Sequence, residues 1–227
     1  MAIYAIGDLH LSKAGTKPMD IFGWKNHKEL IFEDWKSRVK EEDTVIIAGD
    51  TSWATYMEEA IGDLEDISEL PGKKILIRGN HDYWWSTIAK MNKLFENMSF
   101  IQNNHYVYED YAICGTRGWL CPNKTKFDEN DLKIYKREIQ RLRLSLESAK
   151  KAGYKKYIVV LHYPPTNEDQ ERSEFQDVLE EYGVEKIIYG HLHGRDSFKS
   201  GLQGIHNEVE YKLVSCDYLE FKLHKIL

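Results

Sequence analysis

The sequence has few cysteines, and their arrangement argues against a disulfide framework. The three cysteines, Cys114, Cys121 and Cys216, are odd in number and lack CxxC spacing. Free thiols in a reducing compartment are therefore the favoured interpretation. Cys114 and Cys121 could bind zinc together, although no paired spacing supports that alternative.

Long apolar runs and a surplus of positive charge are also missing. No apolar run approaches the roughly 20 residues that span a bilayer, so we expect no membrane association. The N-terminus MAIYAIGDLH lacks the charged and apolar segments of a signal peptide, and we expect a cytoplasmic protein. With 31 Lys and Arg residues against 37 Asp and Glu residues, the formal charge is −6. This balance argues against broad binding of nucleic acids.

What the sequence does contain is a series of short apolar segments, each ending in polar residues. These segments span residues 2–10, 44–50, 73–82, 155–165 and 185–194. Short, continuously apolar runs rich in β-branched residues predict strands that are buried on both faces. Patterns between the strands predict helices at residues 26–43, 54–70, 130–151 and 173–182.

Alternation of strands and helices predicts a largely parallel sheet with helices on its faces. Residues 103–119 and 208–227 instead alternate between apolar and polar positions, as hairpin strands do. We therefore expect mixed sheets packed into a layered sandwich. The chain has 227 residues and no obvious linker, so we expect a single domain over residues 1–227. Residues 12–28 and 117–130 are candidates for loops beside a site.

Polar side chains that can bind metals or move protons follow five of the predicted strands. They are Asp8 and His10, Asp50, Asn80 and His81, His162, and His191 and His193. Ligands collect at the carboxyl ends of strands in open α/β sheets, so we expect one shared site. On an extended backbone, the two-residue spacing of Asp8 and His10 would point both side chains the same way. Each cluster alone has another explanation, such as a capped turn or a core histidine, but five together are not expected by chance.

The chemistry of these side chains narrows the choice of metal. Imidazole nitrogens with carboxylate and amide oxygens, and no thiolate, suit Mn, Fe, Zn or Co better than Ca. Without His81, the seven remaining side chains are too many ligands for one tetrahedral ion but fit two ions that share Asp50. We expect two divalent transition-metal ions, most readily Mn, Fe or Zn. Two divalent ions against two carboxylates leave a positive site that attracts an anion such as phosphate.

The motifs GDLH, GD, GNHD, LH and GHLHG, in this order, resemble those of the calcineurin-like metallophosphoesterase superfamily. The whole chain is similar to a bacterial group of predicted phosphohydrolases within it. The resemblance runs from Asp8 to His193 and covers most of the chain. It implies an α/β fold, namely a four-layer α/β/β/α sandwich of two mixed sheets.

The resemblance also implies roles for the individual residues. One metal would belong to Asp8, His10 and His193, the second to Asn80, His162 and His191, with Asp50 bridging both. His81 would face the substrate, where it stabilises the phosphoryl group or protonates the leaving oxygen, and Asp82 would orient its imidazole. A hydroxide that bridges the metals would attack phosphorus in line with the leaving group.

One departure from the superfamily pattern is informative. Ser/Thr protein phosphatases of the superfamily read GDxxDRG, whereas this chain reads GDTSWAT, with Trp53 in place of the second Asp. A protein phosphatase is therefore disfavoured, and we expect a small phosphorylated substrate, either a monoester or a diester. Arg117 is a candidate phosphate contact, with an ordinary surface arginine as the alternative.

Two further functions remain alternatives. One is a non-catalytic metal-binding scaffold with the same fold. The other is a nuclease, which the acidic charge disfavours, although Lys124, Lys126 and Lys133 could form a basic rim.

Overall fold

The computed structural model describes residues 1–15 and 17–227 of the chain. Within these residues eleven strands form two sheets. The strands are β1 (Ile3–Ile6), β2 (Thr44–Ile47), β3 (Lys73–Ile77), β4 (Met98–Ile101), β5 (His105–Tyr108), β6 (Tyr111–Thr116), β7 (Lys156–Leu161), β8 (Lys186–Tyr189), β9 (Gly204–His206), β10 (Val209–Leu213) and β11 (His224–Lys225). The helices are α1 (His27–Arg38), α2 (Met57–Ser68), α3 (Ile88–Met91), α4 (Glu129–Lys151), α5 (Glu174–Glu181) and α6 (Arg195–Phe198).

Both sheets mix parallel and antiparallel strands. The first sheet has the order β11-β1-β2-β3-β4, in which only the edge strand β11 is antiparallel to its neighbour among the described strands. The second sheet has the order β5-β6-β7-β8-β10-β9, with a parallel centre and antiparallel pairing at both edges. The predicted mixed sheets are confirmed.

Three clusters of buried side chains separate the four layers of the molecule. Alternate residues of β1 show the division, since successive side chains of a strand point to opposite faces. Ile3 and Ala5 pack in the cluster shared by strands of both sheets. Tyr4 and Ile6 join Trp35 of α1 and the residues of α2 on the outer face. The helices α4 and α5 cover the second sheet in the same way, which confirms the predicted four-layer sandwich.

The C-terminal tail agrees only in part with the prediction of hairpin strands at residues 208–227. β10 forms a hairpin with β9, but its other neighbour, β8, is parallel, and β11 pairs with β1 in the first sheet. Buried and half-buried residues alternate along β10, as they would along a hairpin strand. Such alternation reports one covered face of a strand and does not identify its partner.

The two sheets are joined at one edge, where β1 and β10 end. The Gly7 N–H donates to the Val214 carbonyl at 2.7 Å, and the Cys216 N–H donates to the Gly7 carbonyl at 3.0 Å. These hydrogen bonds bring the carboxyl ends of strands from both sheets to the same edge. Residues that follow the strands of either sheet can therefore meet there.

In residues 1–15 and 17–227 no helix is both long and apolar enough to cross a membrane.

Candidate metal centre

Polar residues that follow strands of both sheets meet at the joined edge. The structure brings together all seven residues that were predicted as metal ligands: Asp8, His10, Asp50, Asn80, His162, His191 and His193. Their convergence depends on the tertiary structure, because they come from the ends of five strands in two sheets.

Three of these residues form one group. Asp8, His10 and His193 have ligand atoms that all lie within 4.8 Å of one another. Nε2 of His193 is 3.7 Å from Oδ1 of Asp8. Two ligands about 2.1 Å from a shared ion lie roughly 3 to 3.5 Å apart at the usual angles. The spacing of this group is thus close to that of ligands around one ion.

The other residues form a second group that shares Asp50 with the first. Oδ2 of Asp50 is 3.7 Å from Nε2 of His10 and 3.5 Å from Nε2 of His162. Oδ1 of Asn80 is 2.7 Å from the same His162 nitrogen. Nδ1 of His191 is 3.3 Å from it. The Asp50 carboxylate therefore lies between the two groups, which is where a bridging ligand would lie.

The hydrogen bonds of the histidines fit a cation. Nδ1 of His162 lies 2.9 Å from the Ala48 carbonyl oxygen, which accepts its hydrogen. Nε2 of His162 therefore presents a lone pair towards the carbonyl oxygen of Asn80, and two lone pairs at that distance favour a positive ion beside them. Nδ1 of His10 is buried without a hydrogen-bond partner among the described residues, and an ion or water can satisfy such an atom.

The charges of the cluster also fit divalent ions. Burial, opposed by the charge of His193 and reinforced by Asp50, raises the pKa of Asp8 to about 7. Burial raises the pKa of Asp50 as well. Burial lowers the pKa of His162 to about 3, so this imidazole is neutral near pH 7, the form that binds metals. Buried carboxylates of this kind are stabilised by nearby positive charge.

Two glycines of the motifs allow the carboxylates of Asp50 and Asp8 to approach the neighbouring backbone closely. A Cβ on Gly79 would lie 2.1 Å from Oδ1 of Asp50, and one on Gly190 would lie 2.5 Å from Oδ2 of Asp8. In place of those clashes, the His81 N–H donates to Asp50 at 2.8 Å and the His191 N–H donates to Asp8 at 3.0 Å. The glycines before Asn80 and His191 are therefore part of the site.

The backbone of the site is strained. Asp8, His10, Asp50 and His191 have φ values of 60°, 46°, 49° and 71°, in the left-handed region that non-glycine residues rarely adopt. Asp8 and His10 converge as predicted, but the extended backbone that was expected to cause it is absent. Their convergence depends on left-handed turns.

A profile of the calcineurin-like phosphoesterase family matches residues 1–195. The chain belongs to the calcineurin-like phosphoesterases. All seven candidate ligands lie within the matched residues, in agreement with the motifs. No curated protein matches the sequence significantly.

Solved structures of other proteins share the fold. Phosphopantetheinyl hydrolase from Mycobacterium tuberculosis has a TM-score of 0.61 at 15% identity, over 100% of this chain and 95% of that chain. TT1561 of Thermus thermophilus has a TM-score of 0.58 at 12% identity, over 99% of this chain and 97% of that chain. At such low identities the similarity shows the fold alone.

Asp217 is a residue of this phosphoesterase site that sequence reasoning missed. Its Oδ1 lies 3.0 Å from Nδ1 of His193, and its Oδ2 accepts the Gly194 N–H at 3.1 Å. Burial lowers the pKa of His193, but the Asp217 hydrogen bond and the charges of Asp8 and Asp217 raise it to about 9 overall. Asp217 follows β10 just as the other site residues follow their strands, and that signal could have identified it.

Asp82 does not orient the His81 imidazole, contrary to the prediction. It is fully buried, and its carboxylate accepts four hydrogen bonds, from the N–H groups of Thr51 at 2.9 Å, Ser52 at 3.3 Å and Gly79 at 2.7 Å, and from the Trp84 indole at 3.0 Å. These bonds use both oxygens of the carboxylate. Asp82 therefore holds the loop after β2 against the loop after β3.

Arg117 also differs from its prediction as a phosphate contact. Nη2 of Arg117 lies 3.8 Å from Oε1 of Glu138, a fully buried carboxylate, and its guanidinium lies 4.5 Å from the Trp119 ring centre. The guanidinium does not line the cavity beside the metal centre. Its carbonyl accepts hydrogen bonds from the N–H groups of His162 and Tyr163, each at 3.0 Å. In this structure Arg117 supports the β7 end of the site.

A cavity of about 440 Å³ lies beside the metal centre. Its lining combines five site residues that were predicted from the sequence with six others: His10, Asp50, His81, His191, His193, Met19, Phe22, Trp24, Trp53, Gly194 and Asp217. The loop predicted at residues 12–28 thus forms part of the wall, apart from Thr16, which lies outside the described residues. Residues 117–130 instead contribute Leu120, Cys121 and Asn123 to a smaller cavity of about 130 Å³.

The three cysteines are buried free thiols. In residues 1–15 and 17–227 the clusters that could hold a metal contain histidines and aspartates and no cysteine. The free-thiol interpretation agrees with this arrangement, and the alternative of a zinc site at Cys114 and Cys121 receives no support.

Proposed function

We propose that this phosphoesterase hydrolyses a phosphomonoester or phosphodiester with the help of two divalent transition-metal ions, with water as the in-line nucleophile. The observation that carries the proposal is the position of the Asp50 carboxylate between two groups of ligand-type side chains. When bound, two such ions would supply a water molecule of lowered pKa and positive charge that neutralises the phosphoryl oxygens. Mn, Fe and Zn suit this set of nitrogen and oxygen donors.

Each ion would be held by residues of both sheets. Asp8, His10 and His193 would hold the first ion, and Asn80, His162 and His191 the second, with Asp50 shared. The two sheets are joined by hydrogen bonds at this edge, so the distance between the two groups is fixed by the fold. In a two-metal site, a fixed distance between the ions would let them stabilise both the attacking and the leaving oxygen of an in-line displacement.

His81 is the residue proposed to act on the substrate. Its half-buried ring lines the cavity, and its centre lies 4.3 Å from the Trp53 ring. The backbone N–H of the same residue donates to Asp50, which places the imidazole beside the shared carboxylate. From there it can donate a hydrogen bond to a phosphoryl oxygen or to the leaving oxygen.

The substrate is proposed to be small. The cavity of about 440 Å³ falls within the range of roughly 300 to 1,000 Å³ that is usual for small-molecule sites. The formal charge of −6 opposes sequence-independent nucleic-acid binding. Lys124, one of the three lysines of the basic rim, lies 3.4 Å from Glu171, which reduces the positive charge that a nuclease would use.

Metal analysis together with hydrolysis of p-nitrophenyl phosphate and bis-p-nitrophenyl phosphate tests this function. Both esters are assayed with added Mn²⁺ and after chelation. We expect about two metal ions per chain, as in other two-metal sites, and activity that chelation removes. Asp50→Asn should lose the activity, whereas Asp196→Asn, whose side chain is 100% exposed, should keep it.

The other outcomes separate the alternatives. Bound metal without hydrolysis of either ester would favour the metal-binding scaffold. No bound metal, even after reconstitution, would contradict the proposed centre itself. Preference for one ester over the other would indicate a monoesterase or a diesterase.

A further inference from the structure

We propose that the organic group of the substrate is an alkyl or aryl group that packs against Met19, Phe22, Trp24 and Trp53, here called the aromatic wall. The inference rests on the proposed hydrolysis of a phosphoester. All four side chains line the cavity that also contains His81 and the shared Asp50. A phosphoryl group at the metal centre would therefore leave its organic group inside the same cavity.

The inner part of the aromatic wall is fixed directly to the metal centre. The Trp53 ring stacks on the His10 ring with centres 4.5 Å apart and an angle of 19°. The Trp53 indole N–H donates to the Met19 sulfur at 3.1 Å, and Met19 is 6% exposed. An ordered apolar surface of this kind binds a ligand without the entropy cost of ordering its own side chains.

Trp24 extends the wall on the side of His193. Its ring packs edge-on against His193 with centres 5.2 Å apart, and against Phe221 with centres 5.6 Å apart. Edge-on contacts at these distances are favourable for aromatic rings. Trp24 is thus held between a candidate metal ligand and the C-terminal segment, so its position in the wall is determined by packing.

Phe22 forms the outer part of the wall. It belongs to a 3-10 helix at Met19–Phe22, which ends at Gly23 with φ of 82°, a left-handed value that favours glycine. Phe22 is 56% exposed although it borders the cavity. Covering this ring with an apolar group would remove further apolar surface from water, and that burial stabilises the complex.

The polar groups of the cavity leave little for a sugar or a nucleobase. Apart from residues of the metal centre and His81, the described lining offers polar contacts from Gly194, Asp217 and the indole N–H of Trp24, since the indole N–H of Trp53 already donates to Met19. The Asp217 carboxylate already accepts hydrogen bonds from His193 and Gly194. Binding a polar group without partners costs free energy, so the cavity favours an apolar organic group.

Two esters with similar leaving groups test the inference. Ethyl phosphate and 2-phenylethyl phosphate both release a primary alcohol, so differences in kcat/KM report mainly on the added phenyl ring. We expect kcat/KM to be about tenfold or more higher for 2-phenylethyl phosphate, as for an apolar group in an apolar pocket. In Phe22→Ala the ratio of the two values should fall towards one.

Ile21→Ala is the matched control for this experiment. Ile21 is adjacent to Phe22 and 71% exposed, but it does not line the cavity. The ratio between the two esters should stay at the wild-type value in this variant. Equal kcat/KM values for both esters in the wild type, or an equal fall of the ratio in both variants, would overturn the inference while leaving the hydrolysis in place.

Binding of phosphonates separates failure of the wall from failure of the chemistry. Methylphosphonate and 2-phenylethylphosphonate cannot be hydrolysed, and their affinities for the Mn²⁺-loaded protein can be measured by calorimetry. We expect 2-phenylethylphosphonate to bind more tightly, with the difference reduced in Phe22→Ala. That preference without hydrolysis of any ester would support the wall and contradict the proposed function. Equal affinities, or no binding of either compound, would contradict the wall.

Discussion

Nδ1 of His193 lies 3.0 Å from Oδ1 of Asp217, a residue that lies 24 positions later in the chain. A carboxylate on one ring nitrogen fixes the tautomer of a histidine and directs the other nitrogen to a metal. In this site the other nitrogen is Nε2, which is 3.7 Å from Asp8. Asp217 is therefore a positioning residue for the first group of ligands, although it lies outside the family match at residues 1–195.

Asp217→Asn should weaken metal binding. Loss of such a carboxylate typically lowers metal affinity by about 10- to 100-fold, because the imidazole loses both its orientation and a negative partner. Titration of the metal-free protein with Mn²⁺ would measure the change, and excess Mn²⁺ should restore activity. Asp196→Asn is the control for the loss of one negative charge. Equal affinities of the wild type and Asp217→Asn would contradict the positioning role.

Asp82→Asn should destabilise the protein. The carboxylate accepts four N–H groups at a fully buried position, and an amide nitrogen would face one of those donors. We expect the free energy of unfolding to fall by about 3 kcal/mol, the usual scale for a buried ionic group that loses a partner. Urea unfolding of the metal-free protein measures it. A change below about 1 kcal/mol would show that the loops hold without this carboxylate.

Gly190→Ala should remove a metal ion while leaving the fold intact. The new Cβ would lie 2.5 Å from Oδ2 of Asp8, so the carboxylate has to move away. Gly62→Ala is the matched control, since Gly62 lies in helix α2 and the nearest atoms to its new Cβ would be those of the flexible Lys13 side chain. The control should keep its metals and gain up to about 1 kcal/mol in stability. Full metal content in Gly190→Ala would contradict the proposed position of Asp8.

Lys17→Met should raise KM more for a monoester than for a diester. The Lys17 ammonium lies 3.5 Å from the centre of the Trp53 ring, and its charge helps burial lower the pKa of His81. The positive charge of Lys17 therefore reaches the cavity, where it attracts a doubly charged monoester more strongly than a singly charged diester. Steady-state kinetics with both p-nitrophenyl esters, at low and high salt, would show this difference. The exposed Lys25 provides the control variant Lys25→Met, and equal effects of the two variants would argue against Lys17.

Lys74 should make stability depend on pH above neutrality. Burial lowers its pKa to about 8 from 10.5, and its Nζ donates to the carbonyls of Ser68 and Leu70 at the end of α2. Between about pH 8 and pH 10.5 the unfolded chain binds more protons than the native state. Lys74 therefore makes the free energy of unfolding rise with pH in this range. Below about pH 8 both states are protonated, and the cost of burying the charge is constant.

The comparison of wild type with Lys74→Met isolates this effect from other groups that titrate at alkaline pH. The free energy of unfolding of the wild type, relative to the variant, should increase from about pH 8 to pH 10.5. Urea unfolding at several pH values measures the difference. A difference that is constant over this range would mean that Lys74 keeps its ordinary pKa in the native state.

The sequence determined the layout of the fold and the set of candidate ligands. Apolar runs such as residues 44–50 and 155–165 report burial on both faces, which is a local property that periodicity records. The glycine-containing motifs determined the ligand set in a similar way, because each motif is a strand end with its own turn. Short elements without a distinctive pattern, such as β4 at Met98–Ile101 and α3 at Ile88–Met91, were missed.

The tertiary structure alone decided which partners the polar side chains have. The Asp82 carboxylate accepts hydrogen bonds from the N–H groups of a loop that includes Thr51, 31 positions earlier. The Arg117 guanidinium lies beside Glu138 and does not line the cavity. Asp217 and the aromatic wall reach the metal centre from segments outside the motifs. Side-chain partners of this kind depend on how distant segments pack, and the periodicity of a single segment carries no information about the segment that will lie against it.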